Sequence, residues 1–298
     1  MTAIHNLTAQ ALSSAYRAKQ LSPVEVAEAA LARIAAWEPK INAMYVVDEA
    51  GARAQAAASQ ARWRAGVPLS ALDGVPITIK DNIPVQGFAT PVGTAAGDMT
   101  PAAADAPPSA RVREAGCIII GKTKMPDYGM LVSGVSSLHG ITRNPWNRMR
   151  NAGGSSSGAG ASLVAGYTPL ALGTDIGGSV RLPAAYNGVF ALKPSLGRVP
   201  IYPPYLGRVV GPMTRTVADA ALLMTALTKP DARDSGVQIA TTLSCHCVRS
   251  RVAAFSVAMT EETGDADGSG AAPTSAFATV SSRTTSRPAL TSSVWFHE

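Results

Sequence analysis

Through the first 234 residues, short unbroken apolar runs alternate with longer stretches in which apolar residues recur at helical spacing. Ser22-Pro23-Val24-Glu25 reads as a capping box with proline at the first helical position, opening an Ala-rich amphipathic helix to about residue 37. A strand is predicted over 41–47 and a second Ala-rich helix over 49–64. Val75-Pro76-Ile77-Thr78-Ile79-Lys80 is a β-branched strand that ends on a lysine. A helix over 108–115 leads into an apolar strand over 117–120, of the kind buried on both faces of a sheet. A further helix over 159–166 precedes a short strand over 169–172. This alternation predicts an α/β fold, a mixed central β-sheet flanked by helices.

The pattern fails near residue 235. From there to the end, 20 of 64 residues are Ser or Thr, and stretches such as TVSSRTTSRPALTSS have neither helical nor strand period. The expected organisation is therefore a core over 1–234 and a Ser/Thr-rich tail over 235–298, disordered or foreign to the core's own family, that adds nothing to the fold. Charge divides at the same place. Residues 1–234 carry 22 basic and 15 acidic groups, the remainder 4 and 5, and the last lysine is Lys229. The net +6 is scattered and has no aromatic interleaving, so no nucleic-acid partner is expected from charge. Three cysteines in 298 residues exclude a disulfide-stapled secreted domain. With no signal-like start and no apolar run long enough to span a bilayer, the expectation is a cytoplasmic protein without membrane association.

Two motif matches are rejected on physical grounds. Gly116-Cys-Ile-Ile-Ile-Gly121-Lys122-Thr123 fits a phosphate-loop pattern, but its four intervening residues form a strand and not a flexible cradle of N–H donors. Cys245-His246-Cys247 lacks a second ligand pair, so no metal is expected there. No cofactor is implied elsewhere.

The chemistry concentrates in two glycine-serine clusters, Gly153-Gly154-Ser155-Ser156-Ser157-Gly158 and Gly173-Thr174-Asp175-Ile176-Gly177-Gly178-Ser179, which bracket one helix and one strand. A serine hydroxyl is a weak nucleophile until a base takes its proton. Outside the tail the histidines are His5 and His139, neither in a triad-like setting, and no serine is followed three residues later by lysine. A base other than histidine is needed. Lys80 is the best candidate, because burial at the end of a strand can depress a lysine pKa until the amine is neutral. The N–H groups of Ile176, Gly177, Gly178 and Ser179 are natural oxyanion donors.

The stretch from Gly153 to Pro200, together with Gly74-Val-Pro-Ile-Thr-Ile-Lys80-Asp81, resembles the amidase signature family of Ser-cisSer-Lys hydrolases. The likeness extends through LTAQALSSAYRAKQLSPVEVAEAALARI, SGVSSLHGITRNPWN and Gly211-Pro-Met-Thr-Arg-Thr-Val-Ala-Asp219, the last read as a helix entrance. The resemblance implies Ser179 as acyl-accepting nucleophile, Ser155 as a bridging serine after a cis peptide from Gly154, and Lys80 as the base acting through Ser155. It also implies hydrogen-bonding support from Ser156 and Asp175, with Arg181 bracing the loop. The implied reaction is hydrolysis of a small-molecule carboxylic amide without metal or cofactor, in a possible homodimer. The alternatives are the glutaminase subunit of a tRNA-dependent amidotransferase, with its nucleic-acid context, and a catalytically inactive fragment. Ser157 stands where the family has glycine. The likeness ends shortly after residue 234, as in a truncated or frameshifted product of a longer family member.

Overall fold

The computed structural model describes residues 3–234, all within the first of two units into which the chain divides, Met1–Thr242. The predicted tail and Cys245-His246-Cys247 lie outside the described residues.

Helix α1 (Ala9–Arg17) precedes α2 (Pro23–Ile41), whose capping box forms as expected: Ser22 Oγ accepts from Glu25 N at 3.2 Å and Glu25 Oε2 accepts from Ser22 N at 2.8 Å. Helix α2 runs past the predicted end, so the strand expected from residue 41 begins later, as β1 (Met44–Val47). The reason is local. Asn42 ends the helix in the left-handed region at φ 56°, and the Glu38 carboxylate accepts from Ala43 N and Met44 N at 3.0 and 2.8 Å. Helix α3 (Glu49–Ala65), capped by Asp48, leads to β2 (Pro76–Lys80); α4 (Pro107–Glu114) leads to β3 (Ile118–Thr123). A small ribbon, β4 (Val135–Ser136) with β5 (Gly140–Ile141), precedes α5 (Ser157–Val164) and β6 (Leu170–Asp175). The remaining elements are α6 (Arg181–Asn187), β7 (Phe190–Ala191), β8 (Val209–Thr214) and α7 (Val217–Leu227). Residues 211–214, expected to lead into a helix, belong to β8; the helix starts only after the Thr216 side chain accepts from Asp219 N.

The main sheet has the order β1-β3-β2-β6-β8-β7. Strands β3, β2 and β6 run parallel, while β1 and β8 pair antiparallel on either side of them. It is the mixed sheet flanked by helices that the alternation predicts. On one face, Ile77, Ile79, Leu170 and Leu172 pack with Leu12 of α1, Val112 of α4 and Leu223 of α7. On the other, Ile118 and Ile120 meet α2 and α3, and Ala171 and Met213 meet α5 and α6. Each large aliphatic residue buried in this way contributes about 1.5–3 kcal/mol. Because β2, β3 and β6 are parallel, their carboxyl ends lie at one edge, bringing Lys80, Thr123 and Asp175 together where open α/β sheets bind ligands.

Candidate active site

Strand β2 is buried along its whole length, and its alternation puts Lys80 opposite to Ile77 and Ile79, away from the α1 and α7 layer. The side chain is fully buried. Its Nζ donates to Ser155 Oγ at 2.8 Å and to Thr174 Oγ1 at 2.9 Å. Burial, with the Arg208 guanidinium adding to it, lowers the Lys80 pKa to about 7 against the opposing pull of Asp81 and Asp175. A lysine at this value is part neutral near pH 7. Its lone pair can then accept a proton from a hydroxyl it touches.

Ser155 follows a cis Gly154–Ser155 peptide and is buried. Glycine is required at 154 by close approach, since a Cβ there would stand 2.5 Å from the Leu131 carbonyl oxygen. Ser156 joins the two clusters: its N–H donates to the Ser179 carbonyl at 3.0 Å and its hydroxyl to the Thr174 carbonyl at 3.4 Å. Ser157 opens α5 and has no positive φ, so serine in place of the family's glycine brings no left-handed strain. The following Gly158 cannot be enlarged so easily. A Cβ at 158 would lie 2.2 Å from the Ala43 carbonyl oxygen and 2.6 Å from Lys124 N, both backbone. Gly158→Ala is therefore expected to destabilise the protein by about 1–3 kcal/mol, measured as a lower urea midpoint at unchanged slope.

Strand β6 extends three residues beyond its predicted end, so Gly173, Thr174 and Asp175 are strand residues and the turn begins at Ile176. The buried Asp175 carboxylate organises that turn. It accepts from Gly178 N at 2.8 Å, from Val180 N at 3.1 Å, and from both Arg181 Nε and Arg181 Nη2, at 3.1 and 3.0 Å. Burial pushes its pKa up, but the Arg181 fork and the two N–H donors outweigh this and hold it below the usual carboxylate range. Gly178 N–H is thus engaged by Asp175, which removes it from the expected set of oxyanion donors. Ile176 and Gly177 are exposed at the turn. Ser179 is half-buried, and its hydroxyl makes no hydrogen bond among the described residues.

Lys80 and Ser155 thus share one hydrogen-bonded group with Thr174; Asp175 and Arg181 form a second at the next residue of β6, and Ser156 ties the first to the Ser179 carbonyl. Sequence reasoning missed Thr174 and Asn82. Thr174 Oγ1 accepts from Lys80 and from Asn82 Nδ2, the latter at 3.1 Å. The available signal was position, since Thr174 lies inside a serine cluster and Asn82 two residues beyond the lysine. The histidines among the described residues are elsewhere: His139 packs tilted against Tyr45 with ring centroids 5.0 Å apart and faces Asp81, while His5 packs at Gly166. Lys122 is buried at the end of β3, donating to the Ala89 carbonyl at 2.9 Å, as a core strand and not a phosphate loop requires. Among the described residues no group of three or more His, Cys, Asp or Glu side chains is placed to hold a metal ion, and no helix is long and apolar enough to cross a membrane.

The Amidase family model matches residues 25–270, past the point at which the sequence likeness was expected to end. Curated relatives include the A-subunit of glutamyl-tRNA(Gln) amidotransferase from Symbiobacterium thermophilum, 44% identical over 240 residues, covering 77% of this chain and 48% of that protein. Its counterpart from Roseiflexus castenholzii is 42% identical over 243 residues, covering 79% and 49%. Among solved structures, a bacterial aryl acylamidase of the amidase signature family superposes with a TM-score of 0.74 at 36% identity, covering 78% of this chain and 50% of that one. The native peptide amidase of Stenotrophomonas maltophilia gives 0.73 at 33% identity, covering 78% and 50%. The chain spans about half the length of the curated relatives it matches. The family match over most of the chain, and the identity to these relatives, show that it belongs to the amidase signature family.

Proposed function

We propose that the chain carries the catalytic centre of an amide hydrolase, with Ser179 as nucleophile and Ser155 and Lys80 as its proton relay. The observation that carries this reading is the 2.8 Å contact between a fully buried lysine of lowered pKa and Ser155, beside the loop that holds Ser179. In the reaction, Ser179 Oγ attacks the amide carbonyl as its proton passes to Ser155 and the Ser155 proton passes to neutral Lys80. The carbonyl oxygen takes the negative charge and is met by N–H groups of the turn, with Ile176, Gly177 and Ser179 as donors in place of Gly178. Each such donor is typically worth about 3 kcal/mol of transition-state stabilisation. The C–N bond then breaks, the lysine proton returns through Ser155 to the departing amine, and the acyl group remains as an ester on Ser179. Water repeats the sequence in reverse, releasing the acid and freeing Ser179. Ser156, Asp175 and Arg181 hold the two loops in register and touch no reacting atom.

All of these groups lie within residues 80–181, inside the 1–234 stretch read as a partial amidase signature core; 235–298, part of which the family model also matches, contributes none of them. A cytoplasmic setting belongs to the same reading, in keeping with three cysteines in the chain and a buried, unpaired Cys117. A second reading rests on the curated relatives at 41–44% identity, each an A-subunit of glutamyl-tRNA(Gln) amidotransferase. In that case the same centre releases ammonia from glutamine.

The test is a panel of small aryl and aliphatic amides plus glutamine, with product acid and amine quantified. Turnover of simple amides by the purified chain is the expected result. Ammonia release from glutamine only when the other amidotransferase subunits are added would favour the second reading. Absence of turnover and of labelling by a fluorophosphonate, in a protein that melts cooperatively, would mark an inactive fragment.

A further inference from the structure

Beside the lysine lies a cavity of about 170 Å³, apolar at Ile83, Ile201 and Val210 and polar at Asn82, Thr174 and Arg208. It adjoins the candidate active site through Thr174, a lining residue whose Oγ1 accepts from Lys80 Nζ. The sheet register fixes the position of Arg208. Val209 pairs with Asp175, so Arg208 sits one residue beyond the strand end, level with the turn that leads to Ser179. A Cβ on the adjoining Gly207 would come within 3.8 Å of the Ile176 side chain, which places the 205–208 segment against that same turn.

Arg208 differs from the other arginines around the sheet edge. Arg181 is paired with Asp175, whereas the Arg208 guanidinium, half-buried, packs 3.9 Å over the Tyr205 ring and has no carboxylate partner among the described residues. Burial lowers its pKa. A guanidinium held in a largely apolar recess is poorly solvated, and a carboxylate from the ligand restores what water would supply. At about 170 Å³ the recess is smaller than a typical whole-ligand pocket, so it takes one end of a substrate.

Resting on the hydrolase reading above, we propose that this cavity binds a carboxylate carried by the amide substrate, and that Arg208 is the specificity-determining residue that holds it. The substrate class is an amide with an acidic group a few bonds from the scissile C–N bond. It lies either on the acyl part, as in the monoamide of a short dicarboxylic acid, or on the amine part, as in an N-acyl amino acid.

Binding to the Ser179→Ala protein tests this independently of turnover. Calorimetry is carried out with succinamic acid, N-acetylglycine and, as neutral controls of matched size, succinamide and N-acetylglycinamide. At least one acid is expected to bind 10-fold or more tighter than its neutral partner. Arg208→Gln should remove that preference without weakening the neutral ligand, and Arg208→Lys should retain part of it; which acid is preferred tells on which side of the amide the charge lies. Equal binding of acid and neutral partner in both pairs overturns the proposal, and needs no Arg208 variant to fold. So does a preference that survives Arg208→Gln in a cooperatively melting protein. Because no step requires catalysis, failure here leaves the hydrolase reading standing, and failure of hydrolysis leaves this result interpretable.

Discussion

Ser179→Ala is expected to lower the rate of amide hydrolysis by about six orders of magnitude, and to abolish labelling by a fluorophosphonate while leaving the melting curve in place. The size follows from covalent catalysis: without the hydroxyl there is no acyl ester, and what remains is the binding and polarisation of the amide by the turn. Stability should hardly change, because the Ser179 hydroxyl is half-buried and makes no hydrogen bond among the described residues. The contact that organises the loop uses the Ser179 carbonyl, which accepts from Ser156 N at 3.0 Å and is retained in alanine. A variant that loses both activity and cooperative melting would show that the hydroxyl has a packing role not visible in this geometry. Retained hydrolysis would remove Ser179 from the mechanism.

Lys80→Met should cost about two to four orders of magnitude in kcat, the range typical of losing a general acid-base group. Methionine is chosen because it fills the buried volume without charge, so that cavity formation does not dominate. The wild-type pH profile carries the complementary signature. The active form of the lysine is neutral, and its pKa is brought down to about 7 chiefly by burial. The rate is therefore expected to rise with pH through about 7 and to level off above it, instead of rising only near the ordinary lysine value. In Lys80→Met this limb should disappear from whatever activity remains. If Lys80→Met kept wild-type activity at neutral pH, the lysine would not be the base.

Much of this architecture can be read in the sequence, for identifiable reasons. The capping box at Ser22 and Glu25, the β-branched run ending at Lys80 and the apolar run before Gly121 each carry a local signal that the packing reinforces. The errors occur where tertiary contacts override local chemistry. Strand β8 contains Gly211 and Pro212, which argue against a strand, yet it pairs with β6 and β7 on its two sides and the Pro212 carbonyl accepts from Leu192 N. Helix α6 is only seven residues long and contains Pro183, so no periodicity announces it. Candidate chemistry was legible as residue types, since both serine clusters and the lysine stand out, but not as a network. Asp175 takes the Gly178 N–H, and Thr174 and Asn82 complete the surroundings of Lys80; both depend on where the carboxyl end of β6 meets β2.

Ser155 touches the lysine directly, whereas Ser179 does not, so the assignment of the nucleophile is the point on which the proposed chemistry turns. Reaction of the wild-type protein with a fluorophosphonate, followed by proteolysis and mass-spectrometric mapping of the modified peptide, decides it. A single adduct is expected on Ser179, formed faster as the pH is raised through about 7 and lost in Ser179→Ala. An adduct on Ser155, or none in a protein that melts cooperatively, would contradict it.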